Sequence, residues 1–390
     1  MVLFRLALRN ILGAGLRTWL SVFILSISYV IIIWHKGLLD GWDRQALNDM
    51  IKWEIAGGQF WNSNYDPYDP LSLENAYDPV PEQISSIVDR GLATPLLFVQ
   101  GTIYPKGRLK SIIIKGIDPE QEIVAIPSGM LKANAGITPA IIGRNMAAGS
   151  DLKEGDLVFI RWRNSNGAFD ASQVQIVGIF NTNVPTVDGS QIWIPLEELR
   201  KMLLAEGEAT MVVCSETGSV YEGIENWNFK SSDDLLSDLH KIIKSKTMAG
   251  MVIWVILLMV AMLAIFDTQV LSIFRRQQEI GTYIAMGMTR GEVVGLFTLE
   301  GAMHAILATF VGALYGIPIL YMQATRGITL PVSSSDYGLT MAEKLFPVYS
   351  LGLVSGTIIV VLLVTTAVSY WPSRRIAKMK PTDALKGRAQ

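Results

Sequence analysis

Glu300 and His304 stand four residues apart in an apolar stretch. An acid and an imidazole on one helix face are the raw material of a proton relay or a metal site. Either would need a second acidic or histidine cluster at matching depth, and the sequence supplies none. The spacing favours a structural pair, hydrogen-bonded to each other or to a neighbouring helix. His35, His240 and His304 are far apart and none belongs to an H-E-x-x-H motif, so no zinc-type ligand set is expected. There is no G-x-S-x-G elbow for a nucleophile and no G-x-x-x-x-G-K-S/T loop for a nucleotide phosphate. The chain is therefore not expected to hydrolyse ATP by itself, and no catalytic, cofactor-binding or metal-binding residue is assigned.

The stretch from Phe274 to Arg290 carries more information. It reads Phe-Arg-Arg-Gln-Gln-Glu-Ile-Gly-Thr-Tyr-Ile-Ala-Met-Gly-Met-Thr-Arg. An apolar span ends in Arg275-Arg276, a short polar helix of about two turns follows from Gln278 to Met286, and Gly287 stops it. Thr289, three residues before Glu292, opens the next span as a capping box. A closed turn between two well-started helices makes a rigid elbow, which passes on a push that a floppy link would absorb. The same layout also fits an ordinary helical hairpin connection. It lays a small helix against the membrane, where a cytoplasmic partner can press on it. The chain reads as the passive, force-receiving half of a machine whose engine is a different polypeptide.

Half of the 390 residues are hydrophobic and 17% are charged, a balance rare in a soluble domain of this size. Apolar residues concentrate near 18–34, 248–274, 293–321 and 346–371, while 39–246 reads as water-soluble. Each run is about as long as the roughly 20 residues that cross about 30 Å of hydrocarbon. The short flanks hold twelve basic residues against three acidic ones, a net of +9, whereas 40–246 has 28 Asp and Glu against 18 Lys and Arg, a net of −10. The positive-inside bias puts both termini in the cytoplasm and the large domain outside. The first run lacks a small-residue cleavage site and is bounded by Trp19 and Trp34, so it is expected to be an uncleaved anchor. Basic clusters confined to membrane flanks argue against a nucleic-acid partner. Cys214 is the only cysteine, which excludes an intrachain disulfide.

The expected fold is membrane α-helical, with four transmembrane helices and a large α+β domain between the first and second. Residues 1–38 form the N-terminal amphipathic segment and first helix, 39–246 the outer domain with its stalk, and 247–390 the remaining helices. This last part includes the small helix near 278–287 and a cytoplasmic tail. Residues 1–17 are an interfacial amphipathic helix or a plain extension of the span. Residues 57–80, rich in Gly, Asn, Asp, Pro and Tyr, read as loop. Strands are expected at 97–104, 111–116, 157–162, 172–180 and 191–196, with a hairpin at Pro105–Arg108 and a strand entering a helix at 140–147. A helix follows at 197–204, and 232–245 is a stalk helix leading into the second span. The outer domain is expected to have two lobes, near 39–90 and 91–230.

Within the spans, Asp267 either faces a helix seam or lies below the hydrocarbon. Gly312 and Gly316, and likewise Gly352 and Gly356, form small-xxx-small faces suited to close helix packing. Glu300 and Gly301 complete this set of candidate packing residues.

These residues resemble the FtsX-like permease subunits of ABC transporters, which include the MacB-type efflux permeases and the lipoprotein-releasing LolC and LolE proteins. Arg275 through Gly301 is similar to the family's RR-x-x-E-I-G segment and its later E-G pair, with Glu279, Ile280, Gly281, Gly287, Glu300 and Gly301 on matching positions. The tail from Trp371-Pro372 to Ala384-Leu385-Lys386 is similar to P-x-R-R-A-x-x-x-x-P-x-x-A-L-R, with Ile376 in place of the commoner Ala. Gly116-Ile117-Asp118-Pro119, Ile142 through Ala147 and Val177 through Phe180 are more similar to the lipoprotein-releasing branch, and the outer domain resembles the MacB-like periplasmic core.

The resemblance implies a bacterial inner-membrane subunit without a fused ATPase. It would pair with a second permease copy or a paralogue and sit on a separate cytoplasmic ABC ATPase dimer, which holds the ATP and magnesium. The contact would be a coupling helix with Gln278, Glu279, Ile280, Gly281, Tyr283, Met286 and Gly287. The outward end would release a lipoprotein or engage another periplasmic partner, with membrane lipids around the spans. Drug or peptide efflux, control of a cell-wall hydrolase, and a non-transporting scaffold or sensor are the alternatives.

Overall fold

The computed structural model describes residues 15–132, 136–215, 224–329 and 344–374. They fall into two compact units, one of Met1–Asp43, Ile243–Ile328 and Lys344–Gln390, the other of Arg44–Ile242 and Thr329–Glu343. The amphipathic segment expected at 1–17 lies almost wholly outside the described residues, as does the basic tail from Arg375 onward.

The first unit holds helices long and apolar enough to cross a membrane, and four such candidates occur among the described residues: Trp19–Ile55, Ser232–Arg275, Arg290–Arg326 and Leu351–Ser373. The first belongs to helix α1 (Leu16–Met50), which continues well past the point where the apolar run stops. Val22, Leu25, Tyr29 and Ile32 form one stripe of α1, at the three-and-four spacing of a helical face. They pack with Leu258, Ala261 and Ile265 of the second helix, Ala305 and Ala308 of the third, and Val361 of the fourth. At one end Lys246 pairs with Asp43 at 2.6 Å and lies 4.0 Å from the Trp42 ring.

The second unit is built on a nine-stranded sheet. Its strands are β1 (Gly58–Asn62), β2 (Ala93–Ile103), β3 (Lys110–Ile117), β4 (Thr138–Gly143), β5 (Leu157–Arg163), β6 (Phe169–Phe180), β7 (Gln191–Pro195), β8 (Met211–Cys214) and β9 (Trp227–Ser231). The spatial order is β9-β1-β8-β2-β3-β7-β4-β6-β5, and β5 also pairs with β2 through Gly101–Ile103. That last pairing closes β2-β3-β7-β4-β6-β5 into a six-stranded ring. Strand β2 pairs with β3 on one edge and serves two neighbours on the other, where its first residues pair with β8 and its last with β5.

Alternation along the strands divides the cores, because successive side chains point to opposite faces. Leu97, Val99 and Ile103 enter one core with Ile114, Ile142, Ile160 and Ile176. Leu96 and Phe98 enter the other with Ile141, Trp193 and Val213. Helix α2 (Glu82–Val88) adds Ile84 and Ile87 to a third cluster around Phe60 and Trp227.

Helix α3 (Arg144–Ser150) begins at Gly143, and its first amides are capped from outside. Asp188 of the short helix α4 (Pro185–Asp188) accepts from the amides of Asn145 and Met146 at 3.0 and 3.1 Å. A Cβ on Gly143 would sit 1.8 Å from the Asp188 carboxylate, which explains why glycine stands there. Helix α5 (Leu196–Leu203) lays Leu196, Leu199 and Leu203 on the first core. Lys115 on β3 is buried; its ammonium donates to the Thr186 carbonyl at 3.2 Å and lies over the Phe98 and Trp193 rings.

Two expectations need correction. The stretch 57–80 is not all loop, since Gly58–Asn62 is a strand pairing with both β8 and β9. That pairing also joins the two expected lobes into one sheet. Moreover, after Met50 the chain makes a π-helical turn, Ile51–Ile55, docked on the same sheet domain. Asn183 donates to Asp49 at 2.9 Å, the amide of Ala125 donates to the Lys52 carbonyl at 2.9 Å, and Trp53 stacks on Phe180 at 5.8 Å.

Candidate functional site

The elbow lies within the first unit. Helix α6 (Ser232–Arg275) ends, Arg276 forms the link, and helix α7 (Gln277–Ala285) begins at once. Ile280 is fully buried against Ile273, Val293 and Phe297, with Tyr283, Ile284 and Met288 packed around them. The turn after α7 is closed by two hydrogen bonds, from the Gly287 amide to the Ile284 carbonyl at 3.1 Å and from the Met288 amide to the Tyr283 carbonyl at 3.0 Å. This paired arrangement requires a left-handed residue at its corner, and Gly287 has φ +101°. Helix α8 (Arg290–Arg326) then starts from Thr289, whose hydroxyl accepts from the Glu292 amide at 3.3 Å while the Glu292 carboxylate accepts from the Thr289 amide at 2.8 Å. Both expected helix boundaries are present.

Arg276 is the hub. Its Nε donates to Glu279 at 2.6 Å, and its Nη1 donates to both carboxylate oxygens of Glu300 at 3.1 and 2.9 Å. The guanidinium also lies 4.9 Å from the Phe297 ring centre. One side chain thus ties the first turn of α7 to the body of α8. The Glu300 carboxylate is nearly inaccessible, and an acid in such a place needs a cationic partner. His304 uses Nδ1 to meet the Glu300 backbone carbonyl at 2.6 Å, so the two residues four apart meet through the backbone of their own helix.

Gly301 has a separate task. A Cβ there would fall 1.9 Å from Ser369 Oγ on helix α9 (Leu351–Ser373) and 3.3 Å from the amide nitrogen of Gln269 on α6. Glu300 and Gly301 therefore hold the elbow from one position and admit the last helix at the next.

The expected coupling residues divide by face. Gln278, Glu279, Met286 and Gly287 are exposed, joined by Thr282 and Ala285, and Met286 is 69% accessible. Ile280 and Gly281 are buried in the chain itself, and Tyr283 is half-buried. Ile280 and Gly281 thus pack inside the chain where an exposed contact was expected, because the helical period that exposes 278, 282 and 286 turns 280 and 281 inward, while Tyr283 keeps a partly open edge.

The two small-residue faces also differ. Cβ atoms at Gly312 and Gly316 would lie 3.3 Å from the Ser26 carbonyl and 2.7 Å from Val30, so this face packs closely on α1. Gly352 and Gly356 meet nothing closer than 4.0 Å, and that face is open within the chain. Asp267 is exposed. Sequence reasoning missed Gly37 and Gly41, whose Cβ positions would collide with Tyr349 and with the Phe346–Pro347 backbone. Their four-residue glycine spacing was the available signal. It also missed Arg276 as the partner of Glu300, for which the signal was a buried acid without an obvious cation.

Residues 251–381 match the FtsX-like permease C-terminal family. The chain is 27% identical over 236 residues to the macrolide export ATP-binding/permease protein MacB of Sodalis glossinidius, covering 54% of this chain and 33% of that protein. It is 23% identical over 220 residues to the uncharacterized ABC transporter permease YknZ of Bacillus subtilis, covering 56% of this chain and 50% of that one. It thus spans between a third and a half of the length of these relatives. Among solved structures, the extracellular domain of the noncanonic ABC-type transporter YknZ from Gram-positive bacteria aligns at 16% identity and TM-score 0.26, over 47% of this chain and 94% of that one.

Proposed function

The chain belongs to the FtsX/MacB-type permease family of ABC transporters, and we propose that it carries ATP-driven motion from a separate cytoplasmic ATPase dimer to a folded domain outside the membrane. In this reading ATP and magnesium are held by the partner, and a second permease copy or a paralogue completes the complex. The membrane is the bacterial inner membrane, with both termini cytoplasmic. The observation that carries the reading is the Arg276 clasp. It makes α7 a stiff extension of α8 while leaving Gln278, Thr282 and Met286 open to a partner. A push on a helix so held moves α8 instead of bending the turn.

Within the second unit, Asp49, Lys52 and Trp53 are fastened to Asn183, Ala125 and Phe180, so the chain that follows the first span enters the sheet domain through an ordered segment. The proposed cargo is a lipoprotein drawn from the outer leaflet. The names of relatives such as the Sodalis macrolide export protein favour a second reading, drug or peptide efflux.

Copurification with an ATPase, together with ATP hydrolysis that changes in a Met286→Asp variant, tests the coupling. A chain that binds no ATPase would be a scaffold or sensor. Cargo trapped in an ATPase-inactive complex decides between lipoprotein and small molecule.

A further inference from the structure

A groove of about 590 Å³ runs between the start of α8 and the end of α9, and Val294 on its wall also belongs to the elbow's buried cluster. Volumes of this size are those of small-molecule pockets. Thr298 and Thr366 line it, yet their hydroxyls donate to the carbonyls of Val294 and Leu362 in their own helices at 2.9 and 2.7 Å. The groove is therefore walled by methyl and methylene surface, with the apolar ring of Tyr370 beyond. Arg374 stands at its end, its guanidinium 5.8 Å from the Tyr370 ring. The acid at the same end of α8, Glu292, is turned to the Thr289 amide and hydroxyl. The occupant that fits must be apolar along its length and anionic at one end.

We propose that this groove binds one anionic phospholipid, with an acyl chain between α8 and α9 and the phosphate on Arg374. A basic side chain near a membrane surface contributes about 1 kcal/mol toward an anionic lipid, which corresponds to about fivefold in retention. The test uses the full-length chain in detergent, offered equal amounts of phosphatidylglycerol and phosphatidylcholine, with retained lipid counted by native mass spectrometry. The wild type should keep phosphatidylglycerol about fivefold better, and Arg374→Gln should abolish that preference. Gly295→Phe, at a position with open space around it, should fill the groove and release both lipids while the melting temperature holds. Equal retention of the two lipids by the wild type, or undiminished retention by Gly295→Phe, overturns the proposal. A Gly295→Phe variant that keeps its lipid but loses a dimeric mass would instead assign the groove to a second copy of the chain.

Discussion

Arg276 and Glu300, 24 residues apart in sequence, meet through two hydrogen bonds from one guanidinium nitrogen. Removing one member of a buried ion pair costs about 3–5 kcal/mol, because the survivor loses its counter-charge. Arg276→Gln should therefore lower the melting temperature of the purified chain, and the Arg276→Gln/Glu300→Gln double variant should regain part of the loss. If the single and double variants melt alike, the pair does not hold the elbow.

Gly287 sits at φ +101°, where a β-branched residue is strained by about 1–3 kcal/mol. Gly287→Val should leave ATP hydrolysis by the assembled complex running while cargo movement falls. Parallel loss of both rates, or intact coupling in a folded variant, would speak against the elbow as the transmitting part.

Gly301→Ala should destabilise by about 1–3 kcal/mol through overpacking, because its new methyl meets Ser369 Oγ. Adding Ser369→Gly should restore most of the stability. Gly356→Ala, which meets nothing within 4 Å, should change thermal stability little, so the two glycines provide matched probes on facing helices.

Burial holds the Lys115 ammonium at about 8, below its ordinary 10.5, with the Glu54 charge partly opposing the shift. A lysine so depressed is penalised while charged, and the penalty is full below about 8 and fades as pH rises to 10.5. It amounts to roughly 3 kcal/mol. The sheet domain of the full chain should thus become harder to unfold by urea between pH 8 and 10.5 as far as this group is concerned. Lys115→Met should raise the urea midpoint at pH 7 and flatten that rise.

The elbow was legible because its signals are local. A glycine stop and a Thr-x-x-Glu cap act within a few residues, and both appear where the sequence puts them. The strands from 97 to 196 were legible as short apolar, β-branched runs bounded by Gly, Pro and Asp turns; burial alternates in β5 and β6, whereas β2, β4 and β7 are buried on both faces. Strand β1 was hidden in a Gly- and Asn-rich stretch. It is held by β8 and β9, more than 140 residues away, so no local pattern reports it. The face assignment within α7 and the Arg276 clasp depend on what packs beside the helix. The open space beside Gly352 and Gly356, against the close packing at Gly312 and Gly316, depends likewise on tertiary neighbours that spacing alone does not encode.

Closing β2-β3-β7-β4-β6-β5 on itself gives the sheet domain the mechanics of a hoop. Load applied at one stave spreads around the circumference, so stretching any rung strains its neighbours before it can part. A closed ring of this kind also leaves fewer strand edges open to pairing than a flat sheet of the same six strands.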